Sequence, residues 1–189
     1  VSREATVTVQ ILKPTSAKQY TDTAGLDCQF EAEWLRNTGL FVGESVGGQS
    51  CFQPDKTVSK GEFLAMLVKT LEIPTENAEY TAQKQDMPQW LQPYMTAALR
   101  SGLLGNLDTK DWDMDTAITG AQAAVMLQNA LDLQVSASAL EQVSSADAQT
   151  PDWAAAALTV LRHNGIILDA DASMTRADVA QVLYQTDYL

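Results

Sequence analysis

The chain has 189 residues, with 24 acidic and 12 basic side chains and a formal net charge of −12 at pH 7. This charge excludes binding to nucleic acid or to an anionic membrane through a general field, because such partners require clustered lysine and arginine. The hydrophobic fraction of 46% is that of a folded chain, and no apolar run approaches the ~20 residues that span a bilayer. We therefore expect a folded protein with no nucleic-acid partner and no membrane insertion.

The first predicted element is a strand over residues 5–12. Val7, Val9 and Ile11 alternate with polar residues, which is the period of a half-buried strand. One strand is not stable alone, so we interpret residues 1–19 as a strand and linker that end a preceding β domain. The alternative is an edge strand packed on the rest of the chain. Since the chain starts at Val1 and shows no signal peptide, we expect a mature or excised fragment.

The cysteine content leaves two alternatives open. Two cysteines and one histidine cannot build a tetrahedral zinc site. Cys28 and Cys51 form either a disulfide, as in an oxidising extracellular setting, or two buried free thiols.

No other residues form a convincing metal or catalytic site. Asp111, Asp113 and Asp115 have calcium-loop spacing, but the glycine and the final glutamate of such a loop are missing. His163 cannot be paired with a serine or cysteine nucleophile. We predict no metal, no cofactor and no enzymatic activity.

A repeated segment organises the rest of the chain. Residues 58–63 (VSKGEF), 118–123 (ITGAQA) and 174–179 (MTRADV) align, and their hydroxyl residues are 60 and 56 positions apart. An aspartate lies four residues before each hydroxyl, and a large apolar residue lies seven before it. Such coincident spacings indicate a triplicated unit, and we place its copies at residues 20–74, 75–133 and 134–189.

Each unit is predicted to be helix–loop–helix. In the second unit the first helix is expected at about residues 89–101, ending at Gly102 in the left-handed conformation, and Gly165 has the same place in the third unit. The second helices carry apolar residues at the i, i+3, i+4 spacing of an amphipathic helix. Polar, helix-breaking linkers are expected at residues 74–88 and 134–151. The predicted fold is therefore mainly α. The residues expected to be buried in the second helices are Phe63, Met66, Leu67, Leu71, Met126, Leu127, Ala130, Val179, Val182 and Leu183.

The repeated segment contains a capping box, which satisfies the first amides of a helix. In the third copy the shorter Asp178 is expected to close less well. The first helical residue should point away from the core, which leaves Lys60, Gly120 and Arg176 free to vary. Arg176 would then combine a guanidinium with exposed helix amides, an arrangement suited to a carboxylate or phosphate; the alternative is a solvated arginine. The three boxes are Ser59 with Glu62, Thr119 with Gln122, and Thr175 with Asp178.

The unit resembles the S-layer homology domain. The resemblance rests on the aromatic residue near the start of the unit, the turn at residues 165–167 (GII), the loop at 52–55 (FQPD) and the helix start at 174–179 (MTRADV). It covers residues 20 to 189, as three copies. It implies a pseudo-threefold bundle and a non-catalytic, extracellular bacterial module. Such modules attach surface proteins to cell-wall polysaccharide or a peptidoglycan-linked glycan, commonly through pyruvylated sugars.

The resemblance also implies where a ligand would bind. The ligand would lie in grooves between repeats, and the arginine of the motif would contact the anionic sugar. Arg176 keeps this arginine, Lys60 keeps only a point charge, and the groove at Gly120 is expected to be inactive or structural. Trp90 and Trp153 could stack on a sugar, although a core position is the alternative that we favour for them.

Two classes of function follow from this sequence. The first is a cell-surface anchoring module that binds a cell-wall polysaccharide. The second is a degenerate copy of the same fold with a structural or protein-interaction role and no glycan affinity. The charge bears on this choice, because a negative domain repels an anionic polymer at low salt.

Overall fold

The protein is described by a computed structural model, which places residues 19–75, 87–107, 112–134 and 150–188. Within these ranges the chain forms six helices and one two-stranded sheet, so the mainly α prediction is confirmed. None of these helices is both long and apolar enough to cross a membrane. The predicted strand at 5–12 and most of both predicted linkers lie outside the described residues. In chain order the elements are α1 (Gln29–Asn37), β1 (Glu44–Val46), β2 (Gln49–Cys51), α2 (Lys60–Thr70), α3 (Gln92–Arg100), α4 (Gly120–Ala130), α5 (Asp152–His163) and α6 (Arg176–Tyr188).

The β1–β2 hairpin lies in the first unit, for which the sequence predicted helix–loop–helix and no strands. Its strands are antiparallel, three residues long, and pair Glu44 with Cys51. Strands this short carry no readable period-two pattern. Gly47 and Gly48 join them with φ of 59° and 81°, the positive values that a two-residue hairpin turn requires. This glycine pair was the available sequence signal.

The second helix of each predicted unit begins at a capping box. The boxes of α2 and α4 close in both directions. In α6 the Asp178 N–H donates to Thr175 Oγ1 at 3.2 Å, and the Thr175 N–H donates to the Asp178 carboxylate at 2.8 Å. The expectation that Asp178 closes less well is therefore wrong. The Thr175 hydroxyl also donates to the same carboxylate at 2.7 Å, which holds the shorter side chain against the cap.

Glycine ends the first helices as predicted. Gly102 follows α3 with φ of 74°, and Gly165 follows α5 with φ of 84°. In both cases the next N–H donates to the carbonyl five residues before it, at 3.0 and 2.9 Å, the bond that a left-handed helix end allows. Helix α3 starts at Gln92, three residues later than predicted, because residues 89–91 form a turn.

Each first helix packs on the second helix of another unit. Helix α3 contacts α2, α5 contacts α4, and α1 contacts α6. The predicted core positions of the second helices are buried, except for Leu71 and Ala130, which are half-buried. The cores of the three units are therefore shared between them.

The three repeated segments meet at a ring of backbone hydrogen bonds. The Val58 N–H donates to the Met174 carbonyl at 3.0 Å, Met174 donates to Ile118 at 2.9 Å, and Ile118 donates to Val58 at 3.0 Å. All three side chains are buried. This closed ring is compatible with the threefold arrangement that the sequence repeat predicts.

The first amides of α6 are covered by a neighbouring loop. The Arg176 N–H donates to the Lys56 carbonyl at 2.8 Å, and the Ala177 N–H donates to the Pro54 carbonyl at 3.0 Å. The first two amides of α2 and α4 are bonded to loops in the same way. The expectation of exposed amides beside Arg176 is therefore wrong, because the loop before α2 lies over the start of α6.

Candidate functional site

An apolar cavity of about 170 Å³ is lined by residues of α1, α2 and α6 and by Trp90. Polar groups contribute to its wall through Glu62, Lys69 and Arg176. The rest of the lining is hydrophobic, as is common in small-molecule sites, where a few polar groups set the orientation of a ligand. The apolar lining includes Leu35, Phe41, Phe52, Ala65, Met66 and Val179.

A polar cavity of about 290 Å³ adjoins the apolar one, since Trp90 and Glu62 line both. Apart from Ala117, its other lining groups are hydroxyls, a carboxylate and an ammonium, which together can both donate and accept hydrogen bonds. We call the two cavities together the Trp90 groove. The additional polar lining residues are Lys56, Thr57, Ser59 and Asp115.

Helix α2 forms one wall of the Trp90 groove. Glu62, Met66 and Lys69 follow one another at i, i+4 and i+7 and so share one helical face. Sequence reasoning assigned Glu62 only to the capping box and missed Lys69. Their separation of seven residues, which is two helical turns, was the sequence signal that they share a face. The Lys69 ammonium lies 5.6 Å from the centre of the Tyr94 ring, which places it beside α3.

Both candidate tryptophans are exposed, which corrects the interpretation that favoured the core. Trp90 is 52% exposed and Trp153 is 45% exposed. Trp90 precedes α3 and Trp153 is the second residue of α5, and the neighbouring Leu91 and Ala154 take the buried positions instead. Trp90 lines the groove, whereas Trp153 lies at the start of α5 and lines neither of its cavities.

Arg176 is buried at 6% exposure, so it neither points away from the core nor is solvated. Its Nη1 donates to the Phe52 carbonyl at 2.8 Å and to Gln53 Oε1 at 3.4 Å. Its guanidinium lies over the Phe41 ring, 4.6 Å from the centre. Nη2 donates to the carboxylate of Glu44 on β1. The segment from residue 41 to 53 thus wraps around the guanidinium, which sequence spacing could not reveal.

Glu44 is shared by two cations. Its Oε1 accepts from Arg176 Nη2 and from Lys56 Nζ, the latter at 2.9 Å. The hydrogen bonds from Arg176 and then from Lys56 lower the pKa of Glu44 to about 2. The Glu44 and Lys56 side chains are 42% and 51% exposed, so this end of the cluster faces solvent. Sequence reasoning missed both residues.

Lys60 lines neither cavity of the Trp90 groove, although the preceding Ser59 lines the polar one. Its ammonium donates to Thr116 Oγ1 at 2.7 Å and lies 5.7 Å from the centre of the Trp112 ring. Lys60 is therefore not part of the cavity lining that Arg176 and Trp90 share.

Gly120 is buried, and a methyl group at this position would lie 2.0 Å from the Asp169 carbonyl oxygen. The expectation that this first helical position is free to vary is therefore wrong.

Cys28 and Cys51 are free thiols in the structure, which therefore contains no disulfide between them. Cys28 is buried, and this burial raises the pKa of its thiol. Cys51 is only half-buried, since it lies on β2.

The described part of the chain contains no cluster of histidine, cysteine or acidic residues suited to a metal ion. Asp113 and Asp115 are joined by a local turn, in which the Asp115 N–H donates to Asp113 Oδ1 at 3.0 Å. Asp111 lies outside the described residues. His163 is exposed at the end of α5.

Comparison with known proteins adds two distant relatives. The chain is 26% identical over 163 residues to the "Surface-layer 125 kDa protein" of Lysinibacillus sphaericus, a match that covers 80% of this chain and 13% of the relative. It is 21% identical over 161 residues to an "S-layer protein" of Bacillus thuringiensis subsp. finitimus, covering 82% of this chain and 19% of the relative. No known family profile matches the chain. The chain spans less than a fifth of either relative, and its similarity is to S-layer proteins of bacteria.

Proposed function

We propose that the chain is a non-catalytic module of a bacterial surface protein, which it holds on the cell wall by binding a cell-wall polysaccharide. In this proposal residues 20–74, 75–133 and 134–189 are three S-layer homology repeats, and the module works outside the cell. The names of the two relatives support a cell-surface role. The repeated helix starts and the ring of hydrogen bonds between them support the repeat assignment.

The observation that carries the glycan proposal is the exposed Trp90 ring between an apolar and a polar cavity. A sugar presents apolar C–H faces, which stack on an aromatic ring, and hydroxyl groups, which require donors and acceptors beside it. Trp90 offers the ring, and Ser59, Glu62 and Asp115 offer the polar partners. An isolated surface tryptophan would offer the ring alone.

A pyruvylated ligand fits the proposal through its charge. Pyruvylated sugars carry a carboxylate, and the Trp90 groove is lined by three cations, Lys56, Lys69 and Arg176, against two carboxylates, Glu62 and Asp115. This local excess of positive charge opposes the net charge of −12 on the whole chain. The approach of an acidic polymer is therefore expected to require enough salt to screen the repulsion, since the screening length is about 8 Å at 0.15 M.

The second candidate function is a structural or protein-interaction module without glycan affinity. It is favoured by the fact that the donors of Arg176 already have protein partners. The backbone at Asp169 likewise fills the position beside Gly120. Under this alternative the repeats would serve only to build the bundle.

Sedimentation with purified cell-wall sacculi tests the proposal. We expect the wild type to pellet at about 0.15 M salt and the affinity of Trp90→Ala to fall at least about tenfold, because buried aromatic contacts dominate such interfaces. The matched variant Trp153→Ala should lose less, because Trp153 is similarly exposed but lines neither cavity of the groove. If the wild type stays in the supernatant at every salt concentration, the second candidate is correct.

A further inference from the structure

We infer that Arg176 and Lys56 form a carboxylate-binding site, that Glu44 of the protein itself occupies it in the free state, and that a carboxylate from outside can take its place. That this outside carboxylate belongs to a wall glycan rests on the proposed function, whereas the site itself does not. Glu44 is then a residue that sets affinity and specificity, because every acidic ligand must compete with it.

The two cations converge on a single oxygen. Oε1 of Glu44 accepts from Arg176 Nη2 and from Lys56 Nζ. One guanidinium and one ammonium around a carboxylate provide charge-assisted hydrogen bonds from two directions. A free acid with the same group, such as acetate or pyruvate, presents the same pair of oxygens to these donors.

Arg176 is held in place by contacts that do not involve Glu44. Nη1 is fixed by the Phe52 carbonyl at 2.8 Å, and the guanidinium plane rests on the Phe41 ring. Its position is therefore expected to persist when Glu44 is removed. The Nη2 group would then have lost its partner, and an unpaired cation at 7% side-chain exposure is costly. This cost favours the entry of another anion.

The site is accessible from solvent through Glu44 itself. The Glu44 side chain is 42% exposed and Lys56 is 51% exposed, so a rotation of the Glu44 side chain toward water would open the site without unfolding the hairpin. Glu44 lies at the first residue of β1, next to Gly43.

The site also touches the Trp90 groove from two sides. Arg176 lines the apolar cavity and Lys56 lines the polar one, so a ligand carboxylate bound between them would lie beside the space assigned to the sugar. Glu44 lines neither cavity. It can therefore act as a competitor for the two cations without blocking the groove itself.

Rescue by acetate tests the site without any glycan. The melting temperature of Glu44→Ala should be lower than that of the wild type. It should rise in a saturable way with sodium acetate, and more than with sodium chloride at equal ionic strength, because a ligand of the folded state stabilises it by mass action. In the wild type the acetate-specific rise should be much smaller, because acetate must first displace Glu44. Glu33→Ala is the matched control, since it removes the carboxylate of another ion pair, that with Arg36 at 3.3 Å.

Glu44→Gln keeps the test decisive if Glu44→Ala does not fold. The amide oxygen can still accept from Arg176, so this variant should fold and should show a smaller acetate-specific rise. It should also pellet with sacculi severalfold more tightly than the wild type if the wall ligand carries a carboxylate.

Two results would overturn the inference. The first is an acetate effect on the Glu44 variants no larger than that of chloride or than that on Glu33→Ala. The second is that the wild type pellets and Glu44→Gln pellets no better, which overturns the part of the inference that assigns the outside carboxylate to a wall glycan. If no variant pellets at all, the proposed function fails, and the acetate comparison alone decides whether the carboxylate site exists.

Discussion

Three equivalent residues, the first of α2, α4 and α6, have three different environments. Arg176 is buried in an ion pair, Lys60 donates to Thr116, and Gly120 lies against the Asp169 backbone. The sequence repeat predicts that these three positions are equivalent. It does not predict their surroundings, because each is set by a loop from another part of the chain, and sequence spacing does not say how closely such a loop approaches.

Gly120→Ala tests how closely the loop before α6 approaches the start of α4. The new methyl group would lie 2.0 Å from the Asp169 carbonyl oxygen, which is backbone and cannot turn away. We expect a loss of about 2 kcal/mol in the free energy of unfolding, as for other overpacked sites, measured by urea denaturation. In the control Gly61→Ala the methyl group would lie 2.9 Å from Leu91 Cδ2 and 3.3 Å from the Met114 carbonyl oxygen. Both contacts are looser than the one at Gly120, so this variant should cost less. Equal losses for the two variants would contradict the close approach at Gly120.

The Glu44 ion pairs predict a pH dependence of stability. The two cations lower the pKa of Glu44 to about 2 in the folded protein, whereas an unfolded glutamate has a pKa of about 4.3. The folded state therefore binds this proton less readily than the unfolded state. The stabilisation is present above about pH 4.3 and is lost as the pH falls towards 2.

Thermal melting of the wild type and of Glu44→Gln between pH 6 and pH 2 measures the stabilisation that the Glu44 ion pairs provide. The melting temperature of the wild type should exceed that of the variant at pH 6, and the difference should shrink below about pH 4.3. A difference that stays constant down to pH 2 would show that Glu44 is not ion-paired in solution.

At the scale of elements, the sequence analysis predicted the helices and missed the hairpin, for which the Gly47–Gly48 pair was the only local signal. Capping boxes and apolar residues at helical spacing act within a few residues, so the sequence located the second helices and their buried faces. The strands β1 and β2 have three residues each, and their pairing depends on a turn and on contacts elsewhere in the chain. This matters for the site, because β1 carries Glu44, which no sequence pattern connected with Arg176.

Thr119→Ala tests the start of α4. The Gln122 N–H donates to Thr119 Oγ1 at 3.4 Å, and loss of such a cap costs about 1 kcal/mol of stability. Thr159→Ala is a suitable control. Its hydroxyl donates to the Ala155 carbonyl inside α5, where the N–H groups already have partners, so stability should change little. An unchanged melting temperature in Thr119→Ala would contradict the capping role.

At the scale of the whole molecule, the predicted triplication agrees with how the segments meet. Val58, Ile118 and Met174 bond in a ring, and each first helix packs on a second helix of another predicted unit. The sequence predicts the repeats because the hydroxyl residues of the three segments recur 60 and 56 positions apart. It could not predict the Trp90 groove, since that site combines side chains from α1, α2, α6 and the turn before α3, which come together only in the folded bundle.

The most direct test of the central claim compares two preparations of cell-wall sacculi. One is intact, and the other has been treated with hydrofluoric acid, which cleaves phosphodiesters and so releases phosphate-linked wall polysaccharide from peptidoglycan. At about 0.15 M salt the wild-type protein should pellet with the intact sacculi and stay in solution with the stripped ones. Equal pelleting with both preparations, or pelleting with neither, would contradict the claim that this module binds a cell-wall polysaccharide.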